Sequence, residues 1–336
     1  MKHLNVHHIA LLALLAALIS ACGTPTSSPR GEISAEASSY LNEALEVMET
    51  HSIRKRLVDW VELRRRVFEV AAGARTPRDT YDTIRFALHL IGDGHSIFEP
   101  PGGQVGGATA VTAGAIRGEL LGGGVAYVTV PGIIGSERHP DTVLFAERLQ
   151  SLLRELDATV PCGWIVDLRE NTGGNMWPML AGIGPVLGEG VVGAFVDPDG
   201  ERMEWFYEDG AAGFDSRPII KVGGSAYVLP DQTASVAVLT SSSTGSSGEG
   251  VAIAFKGRPR TRSFGAPTAG FSTSNGAFRL RDGAFLFLTI STMADRIGRL
   301  YGDVVDVDEE IEDASLAQPA GRTVEAAQRW LVGMCS

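Results

Sequence analysis

The sequence predicts an α/β fold in which a helical N-terminal region precedes a core built on a mostly parallel sheet. Before residue 95, apolar residues recur every three to four positions, which is the period of an amphipathic helix. Beyond residue 108, short apolar runs that suit strands alternate with longer helical patterns, as in strands joined by crossover helices. We therefore place a helical domain at residues 33–95 and the core at residues 108–336.

Three helices are predicted in the N-terminal region. Two follow from the spacing of apolar residues between Tyr40 and Met48 and between Leu57 and Val67. The third covers residues 77–90, because a threonine can cap its first turn and the following proline suits the first helical position.

The core begins with a predicted strand at residues 125–130. Further helices are predicted at residues 141–156, 176–187, 251–255 and 323–332. The other predicted strands lie at residues 163–168, 191–195, 204–207, 236–239, 278–280, 284–290 and 302–307.

The first 21 residues are predicted to be a lipoprotein signal peptide. The apolar run at residues 9–19 is too short for a stable transmembrane span. It ends in Ile-Ser-Ala-Cys, which resembles a bacterial lipobox and implies cleavage before Cys22 and lipidation of that cysteine; a plain secretory signal is the alternative. Residues 22–32 are interpreted as a flexible tether. We expect the chain in the cell envelope, on the periplasmic side of the outer membrane in a Gram-negative cell.

The net charge narrows the classes of partner that the chain is expected to bind. A formal net charge of −11 argues against a nucleic-acid partner and against adhesion to anionic lipid by charge, so the covalent lipid would provide the anchor.

With Cys22 lipidated, Cys162 and Cys335 remain as the other two cysteines of the chain. They could pair in an oxidising compartment, but one pair in a chain of this length is not a disulfide scaffold, and Cys162 suits a small buried hydrophobe. We favour two unpaired cysteines.

Three polar loops carry the chemistry of this sequence. They are Gly-Asp-Gly-His-Ser at residues 92–96, Asp-Leu-Arg-Glu-Asn-Thr-Gly-Gly at 167–174 and Thr-Gly-Ser-Ser-Gly-Glu at 244–249. In this order they resemble the motifs of the C-terminal processing, or tail-specific, serine peptidases of family S41. Phe-Gly-Ala-Pro-Thr-Ala-Gly at 264–270 and Leu-Arg-Asp-Gly-Ala at 280–284 are further matches. The resemblance covers roughly residues 40–311, and five motifs in register make it specific.

This resemblance implies a crotonase/ClpP-like α/β core and the hydrolysis of peptide bonds. Many members of the family carry a PDZ domain between the first and second motifs. Here only residues 96–166 separate His95 from Asp167, and the strand and helix predicted there belong to the core. We therefore expect no PDZ domain, and expect unfolded chains or short peptides of the cell envelope as substrates.

Ser246 is the predicted nucleophile. It follows the strand-like run at residues 236–239 and precedes a helix-like run, and a serine at such a turn lies beside outward-pointing backbone N–H groups that can stabilise an oxyanion. Taken alone, the turn also suits Thr244 or Ser246 as an ordinary helix N-cap. The register of the family motifs is what selects Ser246 as nucleophile.

A histidine is the predicted general base. In the better-known branch of the family a lysine activates the serine, but the matching position here is Phe271. Lys256 follows Ser246 by ten residues along the same predicted helix, which places it about 15 Å away. The sequence is therefore more similar to the tricorn-core-like branch, in which a histidine matching His95 is the base. A neutral imidazole can accept the serine proton near pH 7.

A carboxylate is expected to orient this imidazole. The tricorn-like branch places an acid late in the chain, and Asp303 is the first choice here, with Asp306 next. Asp93 is expected to brace its own loop.

Two backbone N–H groups are expected to form the oxyanion hole. Ser247 follows the nucleophile and supplies one of them, and Gly173 or Gly174 supplies the other, because glycine lets the backbone approach a substrate carbonyl closely. Three charged residues are expected to brace the turns and not to touch substrate: Asp167, Arg169 and Glu249, the last as a capping-box residue.

Three functions are compatible with the sequence. The first is a lipid-anchored serine peptidase that needs no metal and no cofactor. The second is a non-catalytic protein that binds hydrophobic ligands or peptides on the same fold, as the interphotoreceptor retinoid-binding repeats do. The third is an esterase-like acyl hydrolase, since the acyl-transfer machinery does not reveal its leaving group. A hydrogen-bonding distance between His95 and Ser246 would favour catalysis over binding.

Overall fold

The computed structural model describes residues 31–103, 112–136, 139–313 and 321–335. The first described elements are the helices α1 (Ala35–His51), α2 (Trp60–Val70) and α3 (Tyr81–Ile91), the last of which follows a single 3-10 turn (Pro77–Thr80). Gly92 ends α3 at φ +71°, in the left-handed region that favours glycine. The three predicted N-terminal helices are confirmed.

The remaining described residues alternate between strands and helices. The strands are β1 (Ile97–Glu99), β2 (Thr112–Ala113), β3 (Gly118–Leu121), β4 (Val125–Thr129), β5 (Ile133–Ile134), β6 (Gly163–Asp167), β7 (Gly190–Val196), β8 (Arg202–Glu208), β9 (Ala211–Phe214), β10 (Arg217–Lys221), β11 (Ser235–Thr240), β12 (Thr261–Gly265), β13 (Thr273–Arg279), β14 (Phe285–Asp295) and β15 (Glu309–Glu310). The helices are α4 (Pro140–Asp157), α5 (Met176–Leu187), α6 (Ser247–Phe255) and α7 (Arg322–Met334).

A six-stranded sheet in the order β15-β12-β11-β6-β4-β3 forms the centre of the core. Its strands run parallel except β3, which pairs antiparallel with β4. Along β4, Ala126 and Val128 pack toward α4, α5 and α6, whereas Val125 and Tyr127 pack toward α7. Because both faces of the sheet are covered, its inner strands are almost entirely apolar. The predicted α/β core with a mostly parallel sheet is confirmed.

A second sheet, which is antiparallel, connects the core to the N-terminal helices. Its order is β1-β14-β7-β8-β9-β10, and β13 pairs with the other side of β14. One face of this sheet presents Leu286, Leu288 and Phe98 to the helices, which contribute side chains such as Tyr40 and Leu45 to the same buried cluster. The helical region therefore shares a hydrophobic core with β1 and β14.

The prediction of a strand at residues 302–307 is wrong. The backbone of this segment bonds to a neighbouring loop and not to a strand: Thr268 donates its backbone N–H to the carbonyl of Val305 at 3.3 Å, and the Val305 N–H donates to Thr268 Oγ1 at 2.8 Å. Of the residues described beyond it, only the two of β15 join the sheet.

Cys162 and Cys335 form a disulfide, so the expectation of two unpaired cysteines is wrong. Cys162 directly precedes β6, and Cys335 caps the end of α7. Leu331 of α7 packs against Gly163 at the start of β6, which brings the two cysteines to a Cα–Cα distance of 5.5 Å. The packing of α7 on the sheet thus pairs two residues that are 173 positions apart.

Residues 1–30, with the predicted signal peptide and Cys22, lie outside the described residues. Among the helices that the structure does describe, none is both long enough and apolar enough to cross a membrane.

We expect the disulfide to stabilise the fold substantially. Replacing both partners, Cys162→Ser with Cys335→Ser, should lower the free energy of unfolding by about 2–5 kcal/mol. The reason is that the bridge closes a long loop in the unfolded chain and so lowers the entropy of the unfolded ensemble. Urea unfolding of the oxidised wild type, the reduced wild type and the double variant measures this. The reduced protein and the double variant should have similar midpoints, and a midpoint equal to that of the oxidised wild type would contradict the prediction.

Candidate active site

The motif loops meet at one edge of the central sheet. The parallel strands β6, β11 and β12 all end there, so the loops that begin at Leu168, Ser241 and Ala266 lie side by side. Side chains tie two of these loops together: Thr244 Oγ1 donates to the carbonyl of Leu168 at 2.8 Å, and Ser241 Oγ donates to the carbonyl of Arg169 at 2.6 Å. This is the edge at which open α/β sheets place their ligands.

Ser246 lies at a strained turn directly before α6. Its backbone has φ +51° and ψ −117°, a conformation that residues other than glycine rarely adopt. Such strain, typically about 1–3 kcal/mol, persists only where the surrounding structure imposes it. The same kind of strand-to-helix elbow presents the nucleophile in α/β hydrolases.

The buried carboxylate of Glu249 holds this turn in place. Its Oε2 accepts hydrogen bonds from the backbone N–H of Ser246 at 2.7 Å and of Phe271 at 2.8 Å. Its Oε1 accepts from Thr268 Oγ1 at 2.5 Å and from the backbone N–H of Gly270 at 2.9 Å. Burial raises the pKa of this carboxyl above its usual value, although the four donors act in the opposite direction. The expected capping role of Glu249 is confirmed, and the side chain also anchors the loop after β12.

His95 reaches Ser246 from the loop between α3 and β1. Its Nε2 lies 3.1 Å from Ser246 Oγ, and its Nδ1 lies 2.8 Å from Thr273 Oγ1. The Asp93 carboxylate accepts the backbone N–H of His95 at 2.9 Å, and Asn275 donates to the His95 carbonyl at 3.0 Å. The structure therefore brings the predicted base and nucleophile together, and Asp93 braces its loop as expected.

Phe271 covers the imidazole. The two rings lie 5.1 Å apart between centroids and are inclined by 37°. Burial lowers the pKa of His95 below 6.5, and the nearby Asp93 carboxylate offsets only part of this effect. The position at which the better-known branch of the resembling family carries a lysine is thus occupied by an aromatic side chain that packs against the histidine.

Thr273, and not Asp303, lies against Nδ1 of His95. The Asp303 carboxylate accepts a hydrogen bond from the backbone N–H of Val304, and its side chain is exposed. Asp306 is also exposed and contributes its backbone carbonyl to Lys256. The expectation that Asp303 or Asp306 orients the imidazole therefore disagrees with the geometry. Thr273 was missed because a threonine at the start of a strand carries no sequence signal for this role.

Asn171 shapes the turn that holds the two glycines. Its Oδ1 accepts the backbone N–H of Gly173 at 3.0 Å, and its Nδ2 donates to the carbonyl of Val130 at 2.9 Å. A Cβ on Gly173 would lie 3.0 Å from the Cβ of Ser246, which shows how closely this turn approaches the serine. Because the Gly173 N–H is already engaged by Asn171, it is not the donor that faces a substrate.

Gly174 and Ser247 face each other beside Ser246. Ser247 Oγ donates to the carbonyl of Gly174 at 2.5 Å. Both N–H groups lack a hydrogen-bond acceptor within the described parts of the chain. Of the predicted oxyanion donors, these two are available, and any side chain at Gly174 would collide with the carbonyl of Ile133.

Asp167 and Arg169 support the turn that holds Gly173 and Gly174. Arg169 is almost fully buried and forms ion pairs with Asp167 at 2.7 Å and with Asp313 at 2.8 Å. Tyr127 donates its hydroxyl to Asp167 at 2.6 Å. Thr323 at the start of α7 donates its backbone N–H to Asp313. The expected bracing role of Asp167 and Arg169 is confirmed, and the ion pairs extend it to the C-terminal helix.

The lysines of the described chain lie away from Ser246. Lys256, at the end of α6, donates to Ser263 Oγ at 2.9 Å and to the carbonyl of Asp306 at 2.8 Å. Lys55 and Lys221 form ion pairs with aspartates elsewhere on the surface. None of these three amino groups is placed to accept the serine proton.

Comparison with known proteins agrees with this geometry. The family model of peptidase family S41 matches residues 124–312, which is more than half of the chain. The chain belongs to peptidase family S41. Like the family, it is a serine peptidase.

Relatives of this S41 peptidase include a curated protein and several solved structures. The nisin-resistance protein of Lactococcus lactis subsp. lactis is 27% identical over 266 residues, which are 78% of this chain and 79% of that protein. A lipoprotein from Streptococcus agalactiae superposes with a TM-score of 0.69 at 24% identity, covering 89% of this chain and 97% of that one. The photosystem II D1 C-terminal processing protease superposes with a TM-score of 0.57 at 15% identity, covering 83% and 94%.

We expect Glu249→Ala to destabilise this S41 peptidase by about 3 kcal/mol, because it would leave several buried donors without an acceptor. Urea unfolding measures the loss. Glu69→Ala on the exposed face of α2 is the matched control and should change stability by less than about 0.5 kcal/mol. Equal unfolding midpoints for the two variants would contradict the anchoring role of Glu249.

Proposed function

We propose that the protein is a cell-envelope serine peptidase in which Ser246 is the nucleophile and His95 the general base. The observation that carries this proposal is the distance of 3.1 Å between His95 Nε2 and Ser246 Oγ, at a strained turn beside two available backbone N–H groups. A binding protein has no need for this alignment, so the geometry favours catalysis over the non-catalytic alternative.

The catalytic cycle follows from these contacts. His95 Nε2 accepts the proton of Ser246 Oγ as the oxygen attacks the substrate carbonyl, and the backbone N–H groups of Gly174 and Ser247 donate to the oxyanion that forms. The protonated imidazole then donates its proton to the leaving amine. In the second half, His95 activates the water that hydrolyses the acyl-enzyme.

Thr273 takes the place of the usual carboxylate. With Nδ1–H donating to Thr273 Oγ1, Nε2 is left unprotonated and aimed at the serine. A hydroxyl fixes this tautomer but gives the imidazolium no ion pair, so it contributes orientation more than charge stabilisation.

The lysine positions support the histidine-using branch of the family. Phe271 stands where the other branch has its lysine, and the three lysines of the described chain are engaged elsewhere. The helices and strands that the structure describes between His95 and Asp167 are β1–β5, α4 and the first residues of β6, which supports a peptidase without a PDZ domain.

The relatives suggest where the enzyme works and what to test as substrate. A solved relative is called a lipoprotein, which supports an anchor at Cys22 in the cell envelope. A curated relative is called a nisin-resistance protein, which makes nisin a first peptide to test for cleavage. Other polypeptides of the cell envelope are the wider proposed class.

A fluorophosphonate probe tests the two central residues. The wild type should be labelled, Ser246→Ala should not, and His95→Ala should be labelled at least about a hundredfold more slowly, because it lacks the base. Thr273→Val should slow labelling about tenfold and Thr273→Ser should restore it, since only the hydroxyl is needed. Equal labelling of the wild type, Ser246→Ala and His95→Ala would refute the proposal.

The rate should also depend on pH in a way that follows from the buried imidazole. Only the neutral form of His95 accepts the serine proton, so activity is lost as the pH falls through the pKa of His95. Because burial lowers this pKa, the midpoint of the acid limb should lie below 6.5. Phe271→Ala exposes the ring and should move the midpoint upward toward 6.5. A midpoint that does not move would show that Phe271 does not control the base.

A further inference from the structure

Ser246 and His95 line a cleft of about 760 Å³. Ser246 and His95 lie at one part of it, and the start of α5 forms one wall. The opposite wall is the face of the antiparallel sheet that points away from the N-terminal helices, made by β1, β13 and β14.

Strand register places three side chains in a row on this wall. Ala277 of β13 pairs with Phe287 of β14, which pairs in turn with Ile97 of β1, and residues that pair across an antiparallel sheet share a face. Phe285, two residues before Phe287, lies on the same face, and the two rings stack with centroids 5.9 Å apart. The wall thus carries a continuous patch of Phe285, Phe287 and Ile97, which we call the aromatic patch.

The aromatic patch is partly exposed to solvent. Ile97 is 56% exposed, and Ile134, which also lines the cleft, is 48% exposed. Among the described residues that line the cleft, His95 and Glu99 are the ones with ionisable side chains. Contiguous exposed apolar side chains mark binding sites on soluble proteins, and here they line the same cleft as the reactive serine.

The spacing along β13 between the residue that contacts His95 and the residue beside the patch sets a register for a bound chain. Thr273, which contacts His95, and Ala277, which lies beside Phe287, are four residues apart on β13, or about 13 Å at the rise of a strand. An extended substrate covers that distance with roughly three or four residues.

We infer that the aromatic patch is a specificity subsite that binds a large apolar side chain of an extended polypeptide, three or four residues from the bond to be cleaved. This inference rests on the proposed function of Ser246 and names its substrate class: flexible chains with Phe, Leu, Ile or Met at that position. Substrate recognition at the patch depends on apolar contact and not on charge, because the bound side chain covers the two rings and Ile97.

Cleavage of a proteome-derived peptide mixture, read by mass spectrometry, tests the inference. The wild type should show a preference for large apolar residues three or four positions from the cleaved bond. For a matched pair of peptides with Phe or Ala at that position, the ratio of kcat/KM should be about tenfold or more, and it should fall toward one in Phe287→Ser and Ile97→Ser. Ile297→Ser, which removes an exposed isoleucine outside the cleft, is the control and should keep the wild-type ratio.

Binding separates failure of the subsite from failure of the proposed function. Ser246→Ala should bind a fluorescein-labelled Ala/Ser peptide carrying one Phe about tenfold more tightly than its counterpart without Phe, and Ser246→Ala with Phe287→Ser should not. If that binding difference is seen without cleavage by the wild type, the subsite stands and the peptidase proposal fails. A wild-type cleavage profile without apolar preference, or equal binding of the two peptides, overturns the subsite.

Discussion

The candidate active site depends on one buried carboxylate. Glu249 accepts hydrogen bonds from the backbone of Ser246 on one side and from Thr268, Gly270 and Phe271 on the other. The first contact holds a serine whose backbone conformation is unfavourable on its own. The others fix the loop that lays Phe271 over His95. A single side chain therefore positions Ser246 and the ring that packs on His95, and its burial makes the loss of either contact strongly destabilising.

In a catalytic triad a carboxylate lies against the histidine, whereas in this site a neutral hydroxyl takes that position. The group against Nδ1 of His95 is the Thr273 hydroxyl, and the Asp93 carboxylate is directed to backbone N–H groups and to Ser96. Phe271 packs against the ring. Burial therefore has the largest effect on the pKa of His95, and the nearby Asp93 carboxylate offsets only part of it. The stronger charges lie beneath the glycine turn, where Asp167, Arg169 and Asp313 form a buried network that links the turn to α7.

Much of this arrangement follows from local sequence. Helix and strand periods locate α4, α5, β6 and β11 to within about two residues, because the central sheet is covered on both faces and its strands are correspondingly apolar. The motif order selects Ser246 and His95 from among several serines and histidines. The segment at residues 302–307 shows the limit of this reasoning: its apolar residues suggest a strand, yet its backbone bonds to the side chain and backbone of Thr268. Nothing local to the segment specifies that partner.

The sequence by itself determined the α/β class, the family motifs, the pair of Ser246 and His95, and the absence of a lysine at the position of Phe271. These properties depend on residue type and on spacing along the chain. The tertiary structure decided which side chain reaches Nδ1 of His95, which glycine N–H is available beside Ser246, and that Cys162 meets Cys335. Each of these depends on a contact between segments far apart in sequence, at distances of a few ångströms, and such contacts are fixed by the packing of loops and helices on the sheet.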